Sequence, residues 1–319
     1  MKKNISQKKQ FKKDFIDLDK IELKELKKII DIAKKLKNQK DYSSQAKLLA
    51  HKNLAMIFEK NSTRTRISFE VAINQLGGNA IILNKNQMQL GKGETIEDTA
   101  RVLSRYVDAI MIRSYSHQTI LDLAHNSDVP VINGLSDFSH PCQILATILT
   151  IEEHLGKINN KKIVWLGDQN NVLNSLIQAS MVFNFELVIG TAQEINFSNN
   201  EIKKALKSKA QIKVIHDAKK AVKDADVVIT DTWISMGEEA ESNDAIRQRK
   251  INLLMPFQVN KSIMNLAKKT AIFTHCLPAY RGYEVSEDVL ESKQSVVFDE
   301  AENRLHIQKA ILVWALSNS

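Results

Sequence analysis

Short apolar runs alternate along the chain with stretches whose apolar positions recur at helical spacing. Helical patterns lie near 65–76, 95–106, 117–126 and 143–154, and each follows one of the apolar runs. Runs of this length between helices are typical of buried strands in parallel βαβ units. The predicted strands are 54–58, 80–83, 108–112, 129–132, 162–166, 186–189, 212–215, 226–230 and 271–274.

A polar connector at 156–161 follows a long helical pattern and divides the chain in two. We expect a first domain over 1–155, a second over 156–300, and a C-terminal helix over 301–319 that packs back on the first domain. The predicted fold class is therefore α/β, with two domains that each hold a central parallel sheet flanked by helices. Sheets of this kind bind ligands at the carboxyl ends of their strands.

Composition and charge narrow the function classes. The chain has 319 residues, 43% of them hydrophobic and 26% charged, which is typical of a folded soluble protein. Its net charge of +8 would suggest a polyanionic partner, but residues 1–40 alone hold 14 lysines and 6 acidic residues and so carry the whole surplus. We therefore expect no nucleic-acid partner, and we interpret residues 1–13 as a flexible tail rather than a targeting peptide or a nucleic-acid arm.

The remaining composition indicates a protein of the cytoplasm. No stretch has the apolar length of a membrane span or of a signal-peptide core, so we expect no membrane partner. Only two cysteines are present, Cys142 and Cys276, and they lie far apart in the sequence. They favour a reducing compartment over a disulfide framework, and neither has ligand partners at zinc spacing.

The first chemical motif lies where a predicted strand gives way to a helix. Here hydroxyl and guanidinium side chains meet the free N–H groups and the positive dipole end of the helix, an arrangement that suits a phosphate. The alternative is an N-cap followed by exposed arginines. The residues are Ser62, Thr63, Arg64, Thr65 and Arg66.

Two further groups in the first half follow strand ends. His140 precedes Pro141, which fixes the start of a helix and would hold the imidazole at the edge of the sheet, with Gln143 close behind. The imidazole could donate to a substrate carbonyl, although a simple capping histidine explains the pattern equally well. Arg113 closes the preceding strand, a position that favours a binding role.

The strand ends of the second half carry amide, carboxylate and thiol groups. Asn171 ends a Gly-Asp-Gln-Asn-Asn segment that lacks the glycines of a dinucleotide motif, so no nicotinamide cofactor is expected. Asp231 could pair with an amine, and the backbone near Met236 could turn toward a carboxylate. Cys276 follows His275; it is either a buried small hydrophobe or a reactive thiol, but neighbours on a strand point apart and cannot easily pair.

Together these motifs predict a phosphate-bearing substrate on one domain and an amino acid on the other. The set resembles the aspartate and ornithine carbamoyltransferase family in its 62–70 segment, its His-Pro-Cys-Gln motif at 140–143, and its 93–104 and 300–304 segments. The segments 231–237 and 275–278 are similar to the ornithine branch. The resemblance implies transfer of the carbamoyl group of carbamoyl phosphate to L-ornithine, giving L-citrulline and phosphate, without a metal or cofactor.

The resemblance also implies roles for individual residues. Arg113, His140 and Cys276 would be catalytic. Asn171, Asp231, Ser235 and Met236 would bind the α-amino and α-carboxylate groups of ornithine, while Cys276 and the backbone of Leu277 would meet the δ-amine next to the carbamoyl phosphate. The carbamoyl phosphate would be held by Ser62, Thr63, Arg64, Thr65, Arg66, Arg113, His140, Gln143 and Arg304, with Gln89 supplied by a neighbouring subunit of a homotrimer.

Several alternatives stay open from the sequence. The amine could be putrescine, an N-acylated ornithine or aspartate, although Asp231 favours a free α-amino acid and Cys276 disfavours aspartate. A non-catalytic binding protein on the same fold is a further alternative, which intact motifs in both halves disfavour. Tyr280 departs from the histidine frequent in bacterial relatives. Arginine biosynthesis is the expected role, but the residues do not separate it from arginine breakdown.

Overall fold

The structure is a computed structural model that describes residues 12–39, 41–60, 62–84, 93–195, 200–234 and 243–317. Within these ranges the strands form two separate parallel sheets, with helices between successive strands. Several of the strands are buried along their whole length, which explains why they read as continuous apolar runs rather than as alternating patterns. None of the described helices combines the length and apolar character needed to cross a membrane.

The first sheet belongs to the N-terminal half. Its strands are β1 (Asn53–Phe58), β2 (Asn79–Asn84), β3 (Ala109–Arg113) and β4 (Val131–Leu135), in the order β2-β1-β3-β4. The helices described in this half are α1 (Leu23–Asn38), α2 (Tyr42–Gln45), α3 (Thr63–Gln75), α4 (Ile96–Leu103), α5 (His117–Asn126) and α6 (Pro141–Leu155), with a short 3₁₀ helix at Leu18–Lys20.

The second sheet belongs to the C-terminal half. Its strands are β5 (Lys162–Leu166), β6 (Glu186–Gly190), β7 (Ile212–Ile215), β8 (Val227–Thr230) and β9 (Ile272–His275), in the order β7-β6-β5-β8-β9. The helices described here are α7 (Asn171–Phe183), α8 (Asn200–Lys207), α9 (Ala218–Val222), α10 (Asp244–Leu254), α11 (Lys261–Met264) and α12 (Glu287–Leu290), with a 3₁₀ helix at Met255–Phe257. The predicted α/β class with two parallel sheets is confirmed.

The C-terminal helix α13 (Val297–Leu316) links the two halves. Its first residue, Val297, packs in the core of the second sheet, whereas Ile307, Ile311 and Leu312 pack in the core that α1, α3 and α6 share. The predicted return to the first half is thus confirmed. The helix begins four residues before the predicted Ala301, because its opening turn packs on the second half and its acidic residues Asp299 and Glu300 do not continue the apolar pattern.

The segment before α1 adds a short extended piece to the first sheet. The Phe15 N–H donates to Val131 O at 2.9 Å, and the Asn133 N–H donates to Phe15 O at 2.8 Å. Of the predicted flexible tail, residues 1–11 lie outside the described residues, while Lys13 lies with its Nζ 5.9 Å from the centre of the Trp314 ring.

Candidate active site

A cavity of about 340 Å³ lies where the carboxyl ends of the strands of both sheets meet. Parallel strands place their following loops at one edge, so groups distant in sequence converge there. The lining includes ten of the residues that the sequence predicts for the site: Ser62, Arg64, Thr65, Arg113, His140, Asn171, Asp231, Cys276, Leu277 and Arg304.

The phosphate side of the cavity is built at the N-terminus of α3. Ser62 is the N-cap, and its hydroxyl accepts from the Thr65 N–H at 3.3 Å. The buried Thr65 hydroxyl oxygen accepts from Arg113 Nη1 at 3.3 Å and from Arg304 Nη2 at 2.9 Å. The alternative that Ser62 is an N-cap is therefore correct. The same end of α3 also lies next to the guanidinium groups of Arg113 from β3 and Arg304 from α13.

The two guanidinium groups of this cluster, from Arg113 and Arg304, are buried. Burial, followed by the neighbouring charges of Arg304 and Arg64, lowers the pKa of Arg113 to about 10. Burial also lowers the pKa of Arg304. Desolvated like charges at a helix N-terminus favour binding of an anion, which would relieve the repulsion between them.

His140 is the N-cap residue of α6 and is 3% exposed. Burial, followed by the charges of Arg304, Arg113 and Arg64, holds the pKa of His140 well below its usual value. The imidazole is therefore neutral at neutral pH and keeps one N–H that can donate to a carbonyl oxygen. Gln143 is buried one turn further along α6 and does not line the cavity.

The strand ends of the second half bring a carboxylate and a thiol to the cavity, in contrast to the cations of the first half. The Asp231 carboxylate follows β8, and it accepts from Asn170 Nδ2 at 2.8 Å and from the Cys276 thiol at 2.9 Å. Burial, together with the charge and hydrogen bond of Asp231, raises the pKa of Cys276 well above its usual value. The thiol is therefore a neutral donor here, and Asp231 supplies the negative charge on this side.

Both ring nitrogens of His275 have partners other than the Cys276 thiol. Its Nε2 lies 3.3 Å from a carboxylate oxygen of the buried Glu284, and its Nδ1 accepts from the Leu277 N–H at 2.9 Å. A nucleophilic Cys-His pair is thus not formed, as strand geometry predicts. Asp231, His275 and Cys276 place potential metal-ligating atoms within 4.8 Å of one another, but the Nδ1 lone pair and the thiol proton already serve the hydrogen bonds given above.

Some predicted site residues lie elsewhere. Thr63 lines a separate groove between α3 and α13. The exposed Arg66 is outside the cavity lining, and its Nε lies 3.9 Å from the Glu70 carboxylate. Three predicted residues lie outside the described part of the chain: Gln89, Ser235 and Met236.

The cavity also contains residues that the sequence reading missed. Ser136 and Asp137 directly follow β4, so the strand-end rule that selected His140 applies to them as well. The Ser136 carbonyl accepts from Asn171 Nδ2 at 2.6 Å, which joins the two halves at the cavity wall. Lys60 lies two residues before the N-cap Ser62 and lines the phosphate side of the cavity. In the sequence, only this closeness to the cap could have marked it as a site residue.

Comparison with protein families agrees with this arrangement. Residues 13–153 match the model of the aspartate/ornithine carbamoyltransferase carbamoyl-P binding domain, and residues 159–315 match that of the Asp/Orn binding domain. The chain belongs to the aspartate/ornithine carbamoyltransferase family.

Individual members of this carbamoyltransferase family are similar over nearly the whole chain. The ornithine carbamoyltransferase of Methanospirillum hungatei is 50% identical over 306 residues, covering 96% of this chain and 100% of its own. The crystal structure of ornithine carbamoyltransferase from Pyrococcus furiosus has a TM-score of 0.87 at 50% identity, covering 94% and 96% of the two chains. The anabolic ornithine carbamoyltransferase of Campylobacter jejuni has a TM-score of 0.87 at 43% identity, covering 95% and 98%.

Proposed function

We propose that this chain is an ornithine carbamoyltransferase, which converts carbamoyl phosphate and L-ornithine into L-citrulline and phosphate. The observation that carries the proposal is the division of charge in one cavity. Buried arginines and a helix N-terminus come from the first half and α13, and the Asp231 carboxylate with its thiol donor comes from the second half. This division matches an anionic phosphate beside an amine.

Carbamoyl phosphate binds on the arginine side. The α3 N-terminus, Arg64 and Arg304 hold the phosphate, and Arg113 reaches both the phosphate and the carbonyl oxygen. His140, as a neutral donor, binds the carbamoyl group together with Gln143. Thr63 and Arg66 lie outside the cavity lining, so this assignment leaves them out. Gln89 reaches the site from a neighbouring subunit of a homotrimer.

Ornithine binds on the carboxylate side. Asp231 pairs with the α-amino group, and Asn171, Ser235 and Met236 complete the binding of the amino acid end. Cys276 and the backbone of Leu277 meet the δ-amine. The thiol stays protonated at neutral pH because its pKa is raised, so it acts by hydrogen bonding and not as a nucleophile.

Transfer then proceeds by direct attack. The unprotonated δ-amine attacks the carbamoyl carbon, and the developing oxyanion is stabilised by Arg113 and His140. A C–N bond forms and the bond from the carbamoyl carbon to the phosphate oxygen breaks. The departing phosphate, held by the arginines, takes up the proton that the amine loses. Much of the rate comes from alignment of two bound substrates in one cavity.

The cellular setting follows from the same assignment. We place the enzyme in the cytoplasm, consistent with the two free cysteines. Arginine biosynthesis is its proposed role, supported by the similarity to the anabolic Campylobacter jejuni enzyme.

Arg64→Ala is expected to weaken the use of carbamoyl phosphate by about tenfold or more, because a charge-assisted hydrogen bond contributes about 1.5–3 kcal/mol. The measurement is the KM for carbamoyl phosphate at saturating ornithine. Arg105→Ala, which changes an exposed arginine after α4, is the matched control. Unchanged kinetics in Arg64→Ala would contradict the phosphate assignment.

Cys276→Ser is expected to raise the KM for ornithine more than the KM for carbamoyl phosphate. The thiol donates to Asp231 on the amine side, and a hydroxyl places its oxygen closer to the backbone than the larger sulfur. The measurement is a pair of saturation curves, one for each substrate. A larger effect on carbamoyl phosphate would refute this placement.

The function itself is tested by product analysis. Purified protein is incubated with both substrates, and citrulline and phosphate are measured over time. We expect equal amounts of the two products, above the phosphate released by carbamoyl phosphate alone. Phosphate release without citrulline would reject the proposed transfer.

A further inference from the structure

One face of α7 is polar although it is turned toward the protein interior. Asn171, Asn174, Ser175 and Gln178 recur at the spacing of a single helix face, where apolar residues are usual. Ser175 is 0% exposed and Gln178 is 1% exposed. Buried polar side chains need hydrogen-bond partners, so this face has a specific neighbour.

The neighbour is the first half of the chain. Asn171 Nδ2 donates to Ser136 O at 2.6 Å, and Asn174 Nδ2 donates to Phe138 O at 3.0 Å. At the far end of the face, Gln178 Oε1 accepts from the Leu18 N–H at 3.3 Å. Helix α7, which begins on the proposed ornithine side of the cavity, is thus hydrogen-bonded to the loop that leads into α6.

Ser175 makes the contact nearest the chemistry. Its hydroxyl oxygen accepts from the backbone N–H of His140 at 2.8 Å. That N–H precedes Pro141, the first residue of α6, and therefore lies outside the hydrogen bonds of the helix. Because Ser175 is fully buried, water cannot easily take over the contact.

The imidazole of His140 depends on this backbone anchor. Its Nδ1 is buried and makes no hydrogen bond with the described residues, so no side-chain partner fixes the ring through that atom. The orientation of the ring then follows from the backbone of His140 and from packing. A small change in the backbone would move the donor that faces the carbamoyl group.

We propose that Ser175 is a positioning residue for carbamoyl transfer: from the ornithine-side half, its hydroxyl fixes His140 of the carbamoyl-side half. The catalytic consequence rests on the proposed function. Because of the hydrogen bond from the His140 N–H to Ser175, the alignment of the carbamoyl group depends on the position of the second half relative to the first.

The kinetic test compares Ser175→Ala with Ser180→Ala. Ser180 lies on the same helix and is 2% exposed, but its hydroxyl donates within α7, to Ile177 O at 2.7 Å. We expect Ser175→Ala to lower kcat about tenfold and Ser180→Ala to change it less than about twofold, because only the first substitution removes a hydrogen bond between the halves. Ser175→Cys, whose sulfur is larger and accepts hydrogen bonds only weakly, should also lower kcat below that of Ser180→Ala.

A double-mutant cycle separates positioning from general stability. If Ser175 acts through His140, then Ser175→Ala added to His140→Ala should cause no further loss of kcat. A full additional loss in the double variant, or equal kinetics in Ser175→Ala and Ser180→Ala, would overturn the proposal.

A spectroscopic readout is independent of the reaction. In protein labelled with ¹³C-histidine, the ring resonance of His140 is assigned by its disappearance in His140→Ala. Ser175→Ala should shift this resonance, and Ser180→Ala should leave it in place. An unshifted resonance would refute the positioning role, whereas failure of the unsubstituted protein to form citrulline would refute only the proposed function.

Discussion

Arg113→Ala is expected to lower kcat by about two to three orders of magnitude, the usual cost of removing a preorganised oxyanion donor. Arg113 is buried at the end of β3 and donates to Thr65, which places its guanidinium between the α3 N-terminus and His140. Its pKa of about 10 means that it remains charged at neutral pH despite burial. No other group in this assignment reaches both the phosphate and the carbonyl oxygen.

The measurement is steady-state citrulline formation at saturating concentrations of both substrates. Arg101→Ala is the matched control, because Arg101 is an exposed residue of α4 whose partner is Asp98 in the same helix. The control should retain activity within about twofold, as is usual for surface substitutions. A kcat for Arg113→Ala within tenfold of the unsubstituted protein would remove Arg113 from the catalytic assignment.

Asp231→Asn is expected to lower kcat/KM for ornithine about a hundredfold, because a charge-assisted contact is lost and a buried amide is left badly paired. The carboxylate accepts from two donors, the Asn170 amide and the Cys276 thiol. An Asn at this position offers only one acceptor oxygen, so its own NH₂ group would face a donor. The negative charge that pairs with the α-amino group is also removed.

The decisive comparison is between the two substrates. The equilibrium affinity of Asp231→Asn for carbamoyl phosphate, measured by calorimetry, should stay within about threefold of that of the unsubstituted protein. Asp231 lies on the other side of the cavity, and substitutions at separate positions have little effect on one another. Asp244→Asn, which changes a fully exposed aspartate at the start of α10, serves as the control. Equal losses for both substrates would contradict the division of the cavity into two sides.

The central strands were predictable because they are buried on both faces. The run 162–166 matches β5 residue for residue. The run 212–215 also matches β7, although β7 lies at a sheet edge and is partly exposed. Continuous apolar segments separated by helical patterns leave few alternatives to parallel sheets. The same logic located the candidate site, since Arg113 ends a strand and His140, Asp231 and Cys276 follow strands.

Other parts depend on contacts between distant segments. Arg304 meets Thr65 across 239 positions in the sequence, and only the path of α13 brings them together. Ser175 looks like a residue of an ordinary helix until its partner, the His140 backbone, is known. The extended segment at Phe15 was missed because a single bridge to β4 produces no strand pattern.

The most direct test of the central claim is a comparison of amines. Citrulline or the corresponding carbamoylated product is measured with carbamoyl phosphate and ornithine, putrescine, N-acetylornithine or aspartate under identical conditions. Ornithine should exceed each of the others in kcat/KM by about a hundredfold or more, because a buried polar site rejects analogues that leave its groups unpaired. N-acetylornithine lacks the charged α-amine for Asp231, putrescine lacks the α-carboxylate, and aspartate lacks the δ-amine. Equal or better use of any of these three amines would contradict the assignment of ornithine as the substrate.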